Sequence, residues 1–336
     1  MAIPTLIGRL QSDRLAQLLL TTTIKGERCL ESTFSILNIA SMPNYAGRVM
    51  SLGEMLRDYS VELVPSSPRL IDSAIDRLQP RTLVSLTWVP GSNPMQMVAP
   101  AARLRHAGLF VMPHVGARHL QNRKQLKELA ARLVGEAGVE RVLIVGGDRR
   151  TPAGPFDSSL AVMQSGVFQR VGVLRMAVAG FPEGNPHIRN DDLYEALAAK
   201  VSFAQQDGIR LSIVTQFCFS ADPILIYLRR LRDRGIDVPV RVGLAGPAGV
   251  ITLLRYAVRC GVGNSMRVLT ENPAFAKALV DSGPESILRE IAAGVDHPEW
   301  DRLGIAGFHF YLFGGLTRTL DWIAASKSGK PVAVYT

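Results

Sequence analysis

At 336 residues the chain is long enough for one large domain or two ordinary ones. With 47% hydrophobic and 20% charged residues it is globular rather than disordered, and no apolar run reaches the roughly 18 residues a membrane span needs. The net charge of +9 is scattered rather than gathered in a stripe with aromatics, which speaks against nucleic acid and fits a solvated basic surface or a small anionic substrate.

The opening "MAIPTLIGRLQSDRLAQLLL" places arginines inside its apolar pattern and shows no cleavage site, so it does not read as a secretory signal; the expected compartment is the cytoplasm. Cys29, Cys218 and Cys260 are odd in number and widely spaced, which suits packed, reduced thiols better than a disulfide framework or a zinc site. Residues 1–58, with helical patterns in "IGRLQSDRLAQLLL" and "CLESTFSILNIASM", are expected to form an extension.

From residue 59 to about 330, β-branched runs alternate with helical patterns. "YSVELVP" precedes "PRLIDSAIDRL", "TLVSLTWVP" precedes "NPMQMVAPAARLRHA", and "GLFVMPHV" precedes "NRKQLKELAARLVGEA". "RVLIVGGD", "VGVLRMAVAGFP", "IRLSIVTQFCF" and "VPVRVGLAG" follow, each with a helical pattern after it, and "IAGFHFYLF" closes the series ahead of "LTRTLDWIAAS". Continuously apolar strands imply cover on both faces, as in parallel α/β proteins. Eight beats predict a (β/α)8 barrel over residues 59–330, with residues 262–304 enlarging the connection before the last strand. A doubly wound sheet would carry a glycine-rich phosphate turn after its first strand, and "VELVPSSP" has no glycine.

In such a barrel the chemistry sits at the carboxyl ends of the strands. The polar residues there are Glu62, Thr87, His114, Asp148, Gln216, and His309 with Tyr311. Each has a structural alternative: an arginine partner for Glu62, a helix cap for Asp148, a satisfied core imidazole for His114, ordinary strand packing for Thr87. Gln216 carries a side-chain amide in mid-strand, so either the fold or a ligand must satisfy it. No Walker motif, H-E-x-x-H, G-x-S-x-G or metal-ligand pair is present, which disfavours metal and acyl-transfer chemistry.

Together "SVELVPS", "SLTW", "MPHV", "LIVGGD", "VTQFCF" and "GFHFY" resemble the methylenetetrahydrofolate reductase family in order and approximate spacing. The resemblance implies a flavin-dependent oxidoreductase acting on the CH–NH group of methylenetetrahydrofolate, with FAD as cofactor and NADH or NADPH as co-substrate. It implies Glu62 as the general acid that opens the folate ring, its carboxyl raised toward the working pH. Asp148 would stand beside the flavin and the developing cation, and Gln216 and Tyr311 would hold the folate. Thr87, His114, Gly146, Gly147, Asp148, Phe156, Asp157, Phe181, Asn185 and Lys200 match the family's FAD-binding positions, with Lys200 meeting the diphosphate.

There are departures from the family pattern. Gly146 stands in place of an arginine, Phe181 of a tyrosine, Asn185 of a histidine and Ala199 of an arginine, and Val250 stands where an aromatic residue is frequent. After "FHFY" the family's arginine is replaced by Gly315, with Arg318 a turn later. Three rivals stay open at this point: a non-catalytic or partner-dependent folate-binding subunit with weakened flavin binding, a flavin-linked proline dehydrogenase, and a pterin-dependent methyltransferase. No membrane or nucleic-acid partner is expected, and a homo-oligomer stays open.

Overall fold

A computed structural model describes residues 50–89, 91–260, 262, 271 and 283–328. The chain divides into units at residues 1–45 and 46–336, and all described residues belong to the second. Most of the expected extension, and most of the stretch from 261 to 282, lie outside the described residues.

Eight parallel strands close into a barrel in sequence order, the last returning to pair with the first. They are β1 (Tyr59–Leu63), β2 (Leu83–Leu86), β3 (Phe110–Gly116), β4 (Arg141–Val145), β5 (Arg175–Gly180), β6 (Arg210–Cys218), β7 (Val240–Ala245) and β8 (Ile305–Tyr311). The helices are α1 (Leu52–Met55), α2 (Pro68–Arg77), α3 (Val98–His106), α4 (Arg123–Gly135), α5 (Ser159–Gln164) and α6 (Val167–Arg170). Then come α7 (Asn190–Gln206), α8 (Ala221–Asp233), α9 (Val250–Cys260), α10 (Glu285–Gly294), α11 (His297–Leu303) and α12 (Leu316–Ser328). All eight expected strands are present, and α10 and α11 occupy the enlarged connection before β8. The apolar runs overreach the strands they contain. "VGVLRMAVAGFP" begins at 171, but pairing starts only at Arg175, because Val171 to Val173 close the turn after α6.

The helices form where the apolar spacing and the caps agree. Asn122 accepts a hydrogen bond from the Gln125 amide at 2.8 Å and starts α4, whose buried Leu126, Leu129, Ala130 and Leu133 lie on one face. Pro68 at the first turn of α2 needs no amide partner there, and Ile71 and Ala74 turn inward.

Strand alternation then builds two cores. Val61, Leu63, Val84, Leu86, Val142, Ile144, Phe308 and Phe310 point out of the barrel and pack beneath the helices. Leu83, Met112, Leu143, Ala177 and Val214 form a separate small cluster inside it. The same alternation turns Ser60 and Glu62 of β1, Ser85 of β2, His114 of β3, and His309 and Tyr311 of β8 inward, toward the carboxyl ends of the strands.

Candidate functional site

Glu62 lies at the centre of the inner polar group. Its Oε2 is 3.5 Å from Nε2 of His114 and 3.8 Å from Nε2 of His309, and its side chain is 21% exposed. Each imidazole is anchored by a serine on an adjacent strand. Ser85 Oγ donates to the Met112 carbonyl at 3.2 Å and sits 2.9 Å from His114 Nε2, so its oxygen accepts from an N–H on that nitrogen. Ser60 Oγ sits 2.9 Å from His309 Nδ1, leaving the fully buried His309 Nε2 without a hydrogen bond and aimed at Glu62. Register explains the assembly: Ser60 pairs with His309 across β1 and β8, and Glu62 pairs with Ser85 across β1 and β2.

This arrangement corrects the expected titration of Glu62. Burial pushes the carboxyl up, but the pull of His309 and the positive charge of His114 and His309 outweigh it, and the net direction is down. An apolar mouth would have left the burial effect unopposed; two imidazoles on neighbouring strands reverse it. His114 is itself driven down, chiefly by burial and further by His309, although Glu62 opposes both.

Gln216 falls in an irregular stretch of β6, where the register with β7 shifts between Val214 and Phe217. Thr215 Oγ1 accepts the Gly243 amide at 2.8 Å in the ladder's place. The Gln216 amide donates to the Cys260 carbonyl at the end of α9 over 3.2 Å, so the fold satisfies one of its donors. Tyr311 donates to the Thr215 carbonyl at 2.9 Å and meets the His309 ring edge-on at 4.9 Å. Burial first, then the Glu62 charge, pushes its phenol well up, so it stays a donor. Cys218 is a buried free thiol and Cys260 is half-buried.

Asp148 belongs to a second group. Its exposed carboxylate accepts from His119 Nε2 at 2.7 Å, and His119 packs against Trp88 with ring centroids 6.0 Å apart. It caps no helix: α5 starts at Ser159 under the side chain of Ser158, which accepts from the Ala161 amide. The glycine pair before it divides two tasks. Gly147 has φ +93°, and a Cβ there would come within 2.9 Å of the His119 ring, whereas a Cβ on Gly146 would meet nothing within 4 Å. Gly146 is therefore the position with open space for a ligand.

The other expected flavin contacts are dispersed. Thr87 is half-buried just past β2, its amide donating to the Leu63 carbonyl at 3.0 Å. Phe181 and Asn185 are half-buried beyond β5, and Asn185 Oδ1 accepts from the His187 amide at 2.9 Å. Asp157 is exposed and accepts from Ser158. Lys200 is half-buried on α7, lowered by burial and without an ion pair among the described residues. Phe156 is the exception: it is 1% exposed and packed in the outer core, so its ring has no face toward a ligand.

Ser60, Ser85 and His119 were not found from the sequence, and His309 was noted only as a polar residue of its strand. The signal was available in the two-residue alternation: Ser60 precedes Glu62, and His309 precedes Tyr311, by one strand repeat.

The sequence profile of the methylenetetrahydrofolate reductase family matches residues 59–263, more than half of the chain. The chain belongs to that family. Among solved structures, it is similar to an uncharacterized protein from Clostridium thermocellum that binds two copies of 5-methyl-5,6,7,8-tetrahydrofolic acid. That likeness has a TM-score of 0.52 at 13% identity and covers 80% of this chain and 93% of the other. It also matches a GH18 chitinase from Pseudoalteromonas aurantia, at a TM-score of 0.44 and 14% identity over 80% of this chain and 98% of that one, too low to bear on function. Among the described residues no helix is long and apolar enough to cross a membrane.

Proposed function

We propose that this family member interconverts 5,10-methylenetetrahydrofolate and 5-methyltetrahydrofolate, using FAD reduced by NADH or NADPH. The observation that carries this reading is Glu62, a carboxylate inside the barrel with two imidazoles at 3.5 and 3.8 Å, in a chain matched by the family's profile.

Ring opening of the methylene adduct needs a proton delivered to the departing folate nitrogen. Glu62 is the donor in this proposal. The free protein holds it ionised; bound folate excludes water and strengthens the effect of burial, which raises the carboxyl so that it takes up a proton and can deliver it to the folate nitrogen. The opened iminium ion is positive, and Asp148 supplies a compensating negative charge. Gln216 and Tyr311 hold the pterin through the donor and acceptor capacity that Cys260 and Thr215 leave free.

The residues fit a dinucleotide cofactor on two observations. Lys200 is a half-buried ammonium without an ion pair among the described residues, suited to a diphosphate, and Gly146 leaves room for close backbone approach. Thr87, His114, Gly147, Asp157, Phe181 and Asn185 complete the proposed set, with Phe156 supporting them from the core. The flavin supplies hydride transfer when bound.

A second reading is favoured by Phe156 facing the core and by the replaced family residues at Gly146, Phe181, Asn185 and Ala199: a folate-binding subunit that needs a partner for redox chemistry. One experiment separates the two. Purified protein is titrated anaerobically with each nicotinamide and then with methylenetetrahydrofolate while the visible spectrum is recorded. A yellow protein bleached by nicotinamide and recoloured by the folate supports the first reading; a colourless protein that takes up no FAD yet binds folate supports the second.

A further inference from the structure

The opposite end of the barrel carries a concentration of arginines that the folate chemistry does not use. Arg81 precedes β2, Arg105 is next to last in α3, Arg141 and Arg175 open β4 and β5, and Arg241 is the second residue of β7. All therefore lie where the strands begin. Three of them converge on one ring: the guanidinium carbons of Arg141, Arg81 and Arg105 lie 4.4, 5.5 and 5.9 Å from the centroid of Phe110. Arg141 and Arg175 are direct register partners.

The anionic complement is small. Glu140 is shared by Arg105 at 2.9 Å and Arg175 at 3.2 Å, and Asp58 takes Arg241 at 2.8 Å. Among the described residues, neither Arg141 nor Arg81 has an ion pair. Of these five arginines, Arg105, Arg175 and Arg241 share two carboxylates, and Arg81 and Arg141 have none among the described residues. Burial first, then the like charges of Arg175, Arg241 and Arg105, pull the half-buried Arg141 down, with only Glu140 opposing. Cation–π contact with Phe110 offsets part of that cost.

A second, independent feature is the backbone at Arg81. It is the sole non-glycine residue with positive φ among those described, at 68°, held by its amide's 2.8 Å hydrogen bond to the Gly108 carbonyl. That conformation is unfavourable for an L-residue with a bulky side chain, and asparagine or glycine would adopt it more easily. Among the described residues the Arg81 guanidinium meets the Phe110 ring and no carboxylate.

We propose that the amino-terminal mouth of the barrel is a binding site for a phosphoryl anion, with Arg81, Arg105 and Arg141 around Phe110 as its cationic wall. Planar guanidinium forks match phosphate oxygens in pairs. The charge also discriminates: a carboxylate brings one negative charge, whereas a phosphate monoester brings about 1.5 to 2 and a diphosphate more, a better match to Arg81 and Arg141, which have no carboxylate among the described residues, with Arg105 beside them. The ligand is either free phosphate or diphosphate, or the phosphate of a larger ester.

The test is calorimetric titration of the full-length protein with pyrophosphate and with ADP at constant ionic strength. The wild type, Arg141→Gln, Arg81→Asn and Lys200→Gln are compared, the last because pyrophosphate could also occupy the proposed cofactor site. The expected result is saturable binding that weakens about tenfold or more in Arg141→Gln and in Arg81→Asn and persists in Lys200→Gln. Arg81→Asn eases the backbone, so it carries the test if Arg141→Gln does not fold. Equal affinity for pyrophosphate and ADP supports a free anion, and tighter ADP supports an ester. The proposal is overturned if pyrophosphate acts no differently from sodium chloride of equal ionic strength, or if binding is lost with Lys200 and kept without Arg141. A single-stranded oligonucleotide that binds more tightly with length and depends on Arg141 would also overturn it, in favour of a nucleic-acid face.

Discussion

His309 Nε2 stands 3.8 Å from Glu62 Oε2, while its other ring nitrogen is fixed 2.9 Å from Ser60 Oγ. The buried imidazole therefore has one anchored side and one side open toward the carboxylate. His309→Gln is expected to shift the pH profile of the folate half-reaction and lower its rate, leaving flavin reduction by nicotinamide unchanged. Ser60→Ala should move the same profile less. Stopped-flow measurement of the two half-reactions across pH checks this, and a parallel loss in both would assign His309 to packing alone.

Glu62→Gln keeps the shape of the side chain and removes the transferable proton. Folate turnover should fall by roughly 10²- to 10⁴-fold, the usual range for general acid catalysis, with flavin reduction nearly intact. Equal loss of both half-reactions would refute the assignment.

Acid should destabilise the protein in two steps. His114 is lowered in the folded state, so the unfolded chain takes up its proton first, and stability declines as pH falls below the ordinary histidine value of about 6.5. Glu62 is also lowered, so the stability it contributes is present above the ordinary carboxylate value and is lost at still lower pH. Thermal melts between pH 7.5 and 5 should show a falling midpoint in the wild type and a flatter one in His114→Gln. Identical slopes would contradict the direction given for His114.

Gln216→Ala should weaken folate roughly 3- to 10-fold, the value of one ordinary hydrogen-bond pair, with FAD affinity little changed. The same substitution releases the Cys260 carbonyl at the end of α9, so a stability loss near 1 kcal/mol is expected beside it. Fluorescence titrations of both ligands, with denaturant unfolding, separate the two effects.

Phe156→Ala tests the core assignment. Emptying a fully buried phenylalanine site costs about 3 to 5 kcal/mol, so the urea midpoint should drop sharply. A variant of near wild-type stability with FAD affinity lost would return Phe156 to the cofactor.

The barrel was legible because parallel strands covered on both faces leave unbroken apolar runs such as "VLIV" and "LFVM". Strand ends were less so, since apolar residues in the turns, Val171 and Val173 among them, continue the same pattern. Glu62 was identifiable as a carboxylate in an apolar strand, but its two imidazoles come from residues 52 and 247 positions away, and no local pattern measures that distance. The downward direction of its carboxyl, set by those imidazoles, is for the same reason not written in the local sequence. Asp148 was found as a residue and missed as a pair, because His119 reaches it across the neighbouring loop. Gln216 was recognised as an amide needing a partner, and that partner, a backbone carbonyl, has no residue identity to read.

The small inner cluster of Leu83, Met112, Leu143, Ala177 and Val214 has a consequence of its own. It acts as a hydrocarbon stopper between the histidine-carboxylate end of the barrel and the arginine end. With no polar group in the cluster to relay them, protons cannot travel along it, so the two ends exchange no protons through the barrel and each draws on its own solvent.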